Sequence, residues 1–97
     1  MIQFKTQNGK LVCTFPSRVE TTVCQQYQHD VENEVLASSG PVVFDLRDTE
    51  YICSAFLRIC LAAVQKLGKD RFEVVNTAPF VQKVFHLAGL DSLVKLS

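Results

Sequence analysis

The segment that most restricts the fold is Val42-Val43-Phe44-Asp45-Leu46. A run apolar on both faces is expected of a central strand covered on both sides in a parallel or mixed sheet, and not of an exposed edge. Its flanks agree: Ser38-Ser39-Gly40-Pro41 breaks the chain before it, and the polar loop Arg47-Asp48-Thr49-Glu50 follows. After the apolar pair Tyr51-Ile52, residues 54–67 predict a helix with little polar surface beyond Arg58, Gln65 and Lys66, closed by Gly68 at its C′ position. It is expected to be the most buried helix. Arg71 to Asn76 reads as the next strand. Pro79 suits the first turn of a third helix, where its missing N–H is no loss; Phe80, Val81, Val84, Phe85 and Leu87 follow at helical spacing, and Gly89-Leu90 stops it. Residues 91–97 allow a helical turn, an edge strand, or both.

Upstream, Ile2 and Phe4 alternate with polar residues, as do Leu11, Cys13 and Phe15, and Asn8-Gly9 lies between the two runs. That dipeptide tolerates the positive φ angles of a type I′ turn, so residues 2–7 and 10–15 predict a hairpin. Ser17-Arg18-Val19-Glu20 has the spacing of a capping box, which places a helix start there. Val19, Val23, Tyr27, Val31 and Val35 recur every four residues, with Cys24 and Leu36 beside them on the apolar side. The order is hairpin, helix, strand, helix, strand, helix, tail. It implies an α/β fold: a mixed sheet covered by helices, with right-handed crossovers joining later, parallel strands. A length of 97 residues suits one domain spanning 1–97.

Ten basic and ten acidic residues balance, so no long-range field draws in a nucleic-acid backbone, and nucleic acid is not an expected partner. No apolar run approaches the roughly 20 residues that span a bilayer, and Met1-Ile2-Gln3-Phe4-Lys5 lacks a secretory h-region. The reading is a cytoplasmic chain without membrane insertion. Cys13, Cys24, Cys53 and Cys60 sit in apolar segments as packing residues, without a Cys-x-x-Cys, and His29 and His86 have no ligand-spaced partner. No metal or cofactor is expected, and His86, with no acid at useful spacing, reads as structural.

In such a sheet the loops at the carboxyl ends of the strands gather functional groups: here residues 16–18, 47–54 and 76–79. Ser54 is expected to cap the second helix. Cys53, at the same helix end, is either an inert packing residue or a thiolate with a lowered pKa, although no His, Lys or second Cys lies near it in sequence. Asp45 either orients the loop or meets a partner; Phe56 is core or, if exposed, an anchor.

The ordered set of motifs resembles a STAS domain, the module named for sulfate transporters and anti-sigma-factor antagonists. In that family a strand ending in an Asp-Leu-Ser-like triplet leads to Ile-Asp-Ser-Ser-Gly-Leu, which opens a helix, and an Asn-rich strand end and a closing Gly-Leu-Asp come later. This chain has Val43-Phe44-Asp45-Leu46-Arg47, then Tyr51-Ile52-Cys53-Ser54-Ala55-Phe56-Leu57-Arg58, then Val74-Val75-Asn76-Thr77-Ala78-Pro79 and Ala88-Gly89-Leu90-Asp91. The match runs from Val42 to Leu96 with spacing intact.

The resemblance implies a STAS-like sheet and a non-enzymatic, protein-binding role in transcription regulation and signal transduction. The partner would be an anti-sigma factor or a related histidine-kinase-like protein kinase, met by Asp45, Arg47, Cys53, Ser54, Ala55, Phe56, Arg58, Asn76 and Thr77. In the bacterial antagonists a partner kinase phosphorylates the second serine of the motif. Here that position is Ala55, the preceding aspartate is Cys53 and the glycine is Phe56, so the remaining phosphorylation candidate is Ser54. Two other readings stand beside this one: a STAS-like subunit of a larger transport or signalling complex, and a thiol-dependent redox protein using Cys53.

Overall fold

The computed structural model describes residues 2–97. The hairpin forms as its turn residues dictate: β1 (Gln3–Gln7) pairs antiparallel with β2 (Lys10–Thr14), and Asn8 and Gly9 take φ of 53° and 80°. The chain then departs from the capping-box expectation. Arg18–Val19 is a two-residue strand, β3, and α1 begins only at Thr21, running to Ala37 with Glu20 at its cap position. Ser17 caps nothing; its carbonyl accepts from the N–H groups of Glu50 and Tyr51, which docks β3 in parallel against β5 (Tyr51–Ile52). A tertiary pairing thus outcompetes a local cap. Val19 is buried in that strand, whereas Leu36, expected on the apolar side of α1, is 62 % exposed.

The remaining elements are β4 (Val42–Asp45), α2 (Ser54–Leu67), β6 (Phe72–Val75), α3 (Pro79–Leu87) and β7 (Lys95–Leu96). The main sheet has the order β1-β2-β4-β6-β7, with every pair after the hairpin parallel. β4 is its central strand and all four of its residues are buried, as the opening segment requires. The tail is a turn followed by an edge strand. Gly68 and Gly89 end α2 and α3 at φ of 82° and 75°, conformations that glycine adopts without a Cβ penalty.

Burial alternates along β2 and β6. Leu11, Cys13, Val42, Phe44, Phe72 and Val74 face one side and join a single cluster with Cys24, Val31 and Val35 of α1, Phe56, Cys60 and Ala63 of α2, and Val81 and Phe85 of α3. The helices therefore cover one face of the sheet, and not both sides of β4 as its apolar run leads us to expect. On the other face Val43 lies between Val12 and Glu73 of the neighbouring strands, whose side chains are half-buried, so its burial comes from sheet neighbours and not from a second helical layer. Phe15, Phe44 and Phe56 pack with centroids 4.9–6.1 Å apart beneath the functional end of the sheet. Phe80 and Leu87 of α3, which follow the same helical spacing as the enclosed Val81 and Phe85, are 54 % and 74 % exposed. No helix among the described residues is long and apolar enough to cross a membrane.

Candidate functional site

Parallel pairing in register, Thr14 with Asp45 and Asp45 with Val75, aligns the carboxyl ends of β2, β4 and β6. Backbone bonds continue the alignment past the strands: Phe15 N–H donates to Asp45 O and Leu46 N–H to Val75 O. The three loops 16–18, 47–54 and 76–79 therefore leave from one edge of the sheet. Thr49 holds the middle one down. It is 2 % exposed, and its hydroxyl donates to the Pro16 carbonyl at 2.8 Å.

One group of residues gathers on Asp45. Only 3 % exposed, it is a loop organiser and not a contact surface. Its carboxylate accepts from the Arg47 backbone N–H at 3.0 Å, from Arg47 Nε at 2.9 Å and from Asn76 Nδ2 at 2.9 Å. Burial pushes the Asp45 carboxyl up, but the Arg47 and Asn76 side chains, the Arg47 backbone N–H and the Arg47 charge together hold it below its ordinary value. Asn76 takes a left-handed φ of 57°, which asparagine tolerates better than most residues. Thr77 accepts from Gln82 Nε2 at 2.9 Å and donates its hydroxyl to the Ser97 carbonyl at 2.9 Å. Arg47, Asn76, Thr77 and Ala78 line a shallow open depression.

The second group lies at the start of α2. Cys53, not Ser54, occupies the cap position; Ser54 is the first helical residue and is exposed. Ala55 is half-buried, Arg58 is exposed, and Phe56 is fully enclosed, so Phe56 supports this surface from below and is not part of it. Ala55 and Arg58 also border a groove of about 340 Å³ between α1 and α2, floored by Val31, Val35, Ile59 and Ala63 and edged by Glu32 and Lys66.

Sequence reasoning missed three features. Cys24 and Cys53 are 29 residues apart in the chain, yet their sulfurs meet at 4.0 Å. Partial burial pushes the Cys53 thiol up, but the Phe56 N–H, the Thr21 hydroxyl, the Ala55 N–H and the Cys24 thiol outweigh it, and the net direction is down. Phe80 stands exposed in the first turn of α3, directly after the 76–79 loop. His86 does have an acid: Asp91 Oδ2 lies 2.7 Å from its Nδ1, an exposed surface pair. The first and third became visible only when the fold closed; the exposure of Phe80 left no trace in a helical pattern that places it beside Val81. Among the described residues no three His, Cys, Asp or Glu side chains cluster as a metal site.

No protein-family model matches the chain. It is 28 % identical over 88 residues to BtrV of Bordetella bronchiseptica, named as a candidate anti-sigma factor antagonist; the match covers 89 % of this chain and 76 % of BtrV. A solved anti-sigma factor antagonist from Mycobacterium paratuberculosis superposes with a TM-score of 0.88 at 27 % identity, covering 99 % of this chain and 83 % of the other. The anti-sigma-factor antagonist (STAS) domain protein of Planctomyces limnophilus has the same fold at 17 % identity, with a TM-score of 0.86 over 99 % of this chain and 87 % of its own. With its parallel strand ends, its α2 start and these likenesses, the chain has the STAS fold and resembles the bacterial anti-sigma-factor antagonists in both sequence and fold.

Proposed function

We propose that residues 1–97 act as a single binding module, an anti-sigma-factor antagonist that docks on an anti-sigma factor or a related protein kinase in a partner-switching pathway. The observation that carries this reading is the organised strand-end surface in a chain that resembles named antagonists. Asp45 spends its hydrogen bonds fixing Arg47 and Asn76, while Arg47, Ser54, Arg58 and Phe80 remain presented to solvent. Such a face has what a protein interface needs: an exposed aromatic for a hot spot, arginines for a polar rim, and a rigid support. Phe15, Phe44 and Phe56 supply that support.

In this role the chain is bound, and modified, by its partner and performs no chemistry itself. With alanine at the family's acceptor position, the phosphate would fall on Ser54, one residue earlier. The test is titration calorimetry of the purified chain against the purified anti-sigma-factor kinases of the same organism. The reading expects one of them to bind at 1:1 stoichiometry, and binding to none would overturn it.

A further inference from the structure

The pairing that replaces the expected cap has a chemical consequence. β3 and β5 run parallel in register, Arg18 with Tyr51 and Val19 with Ile52, and each feeds directly into a helix. The amino ends of α1 and α2 therefore start side by side. Cys24 lies in the first turn of α1 and Cys53 caps α2, which puts their sulfurs 4.0 Å apart. A disulfide requires about 2.05 Å, so a closure of roughly 2 Å would join them, within reach of rotamer adjustment and a small helix shift.

We propose that Cys24 and Cys53 are a peroxide-reactive pair that closes to a reversible disulfide, stapling the start of α1 to the start of α2 beside Ser54.

The two sulfurs are unequal in the way such a reaction needs. Cys53 is half-buried and so reachable, and its surroundings favour the thiolate. Cys24 is 3 % exposed, and its thiol is pushed up to about 12, chiefly by burial and then by the neighbouring Cys53. Cys53 is therefore the nucleophile and Cys24 the resolving thiol. The Cys53 thiolate attacks one oxygen of hydrogen peroxide: an S–O bond forms, the O–O bond breaks, and hydroxide leaves, neutralised by the proton that Cys53 released. The Cys24 sulfur then attacks the sulfenic sulfur: the S–S bond forms, the S–O bond breaks, and the departing hydroxide takes the Cys24 proton. Two thiols are oxidised and one peroxide is reduced to two waters. A small thiol reverses the step by exchange. Cys13 and Cys60 are both fully enclosed and their thiols pushed up by burial, so they serve as internal controls. Where the binding reading holds, the staple lies in the binding face itself; the chemistry stands without that reading and is tested without a partner.

The experiment treats the reduced chain with hydrogen peroxide, denatures it, alkylates the remaining thiols and maps the peptides by mass spectrometry. The expected result is loss of two of the four alkylatable thiols, an intact mass lower by two hydrogen atoms before alkylation, and a single cross-linked peptide joining Cys24 to Cys53, all reversed by dithiothreitol. Cys24→Ala should leave Cys53 to over-oxidise to the sulfinic acid, and Cys53→Ala should leave its three cysteines reduced. The cross-link map needs only the unaltered chain, so it decides the matter even where Cys24→Ala fails to fold. Four intact thiols at a dose that oxidises a free cysteine peptide, a cross-link to Cys13 or Cys60, or an intermolecular Cys53 dimer would overturn the proposal.

Discussion

The side-chain amide of Asn76 donates to Asp45 Oδ1 across 2.9 Å and so ties the ends of two neighbouring parallel strands to one carboxylate. The same carboxylate holds Arg47 through its backbone and its guanidinium, with Arg47 Nη2 at 2.7 Å from Oδ2. Removing it releases two loops at once. Asp45→Ala should lower stability by about 1–3 kcal/mol, the usual effect of breaking charge-assisted hydrogen bonds at a buried acceptor. Urea denaturation measures it. The carboxyl is held below its ordinary value in the fold, so its contribution is complete above the unfolded carboxyl range near pH 4 and fades as pH falls through the lower folded value. The wild-type advantage over Asp45→Ala should therefore shrink below about pH 4.

Phe56 stands where the family motif has glycine, and its ring packs against Phe15 at 5.0 Å and Phe85 at 6.5 Å between centroids. As a fully enclosed side chain it should behave as core. Phe56→Ala is expected to cost about 3–5 kcal/mol, the range for deleting a buried aromatic ring. A thermal melt within a degree or two of wild type would instead place this ring at the surface.

Gly40 approaches the hairpin turn so closely that an added Cβ would lie 2.5 Å from the Gly9 carbonyl oxygen. That atom belongs to backbone and cannot swing aside. Gly40→Ala should destabilise by about 1–3 kcal/mol through this steric conflict alone. Gly9→Ala meets no neighbour but loses freedom at a φ of 80°, so the two variants separate crowding from backbone strain in chemical denaturation.

Much of this architecture is legible in the chain because local signals and tertiary demands coincide. Asn8-Gly9 fixes the hairpin, Val42 to Asp45 can only be an inner strand, and Gly68 closes α2 where its apolar pattern ends. The two misread helix starts share one cause. Ser17 looks like a cap, but the β3–β5 pairing claims its carbonyl and delays the helix to Thr21. Ser54 looks like a cap but stands one residue past it, since β5 ends at Ile52 and leaves Cys53 at the boundary. Two-residue strands carry no periodicity, so nothing in the sequence announces them. The Cys24–Cys53 contact depends on that pairing and was equally hidden. Phe80 and Leu87 follow helical spacing as faithfully as Val81 and Phe85 do, and only the position of α3 against the sheet decides which pair is enclosed.

Ser54 is exposed at the first position of α2, where the helix N-terminus favours negative charge. A phosphate there adds about −1.5 to −2 charges at pH 7 and should leave the fold standing. Incubation with the partner kinase and ATP should place phosphate on Ser54, and Ser54→Ala should abolish it. Thr49 should remain unmodified, because its hydroxyl is buried against the Pro16 carbonyl. Labelling of Thr77 in place of Ser54 would contradict this assignment.

The most direct test of the account is the affinity of the partner kinase for the double variant Ser54→Asp with Arg58→Glu, measured by calorimetry beside the unaltered chain. Both side chains are exposed on the first turns of α2 and neither supports the core, so the melting temperature should hold. At least a tenfold loss of affinity, about 1.4 kcal/mol, is expected. A double variant that binds as tightly as the unaltered chain would show that the partner docks elsewhere.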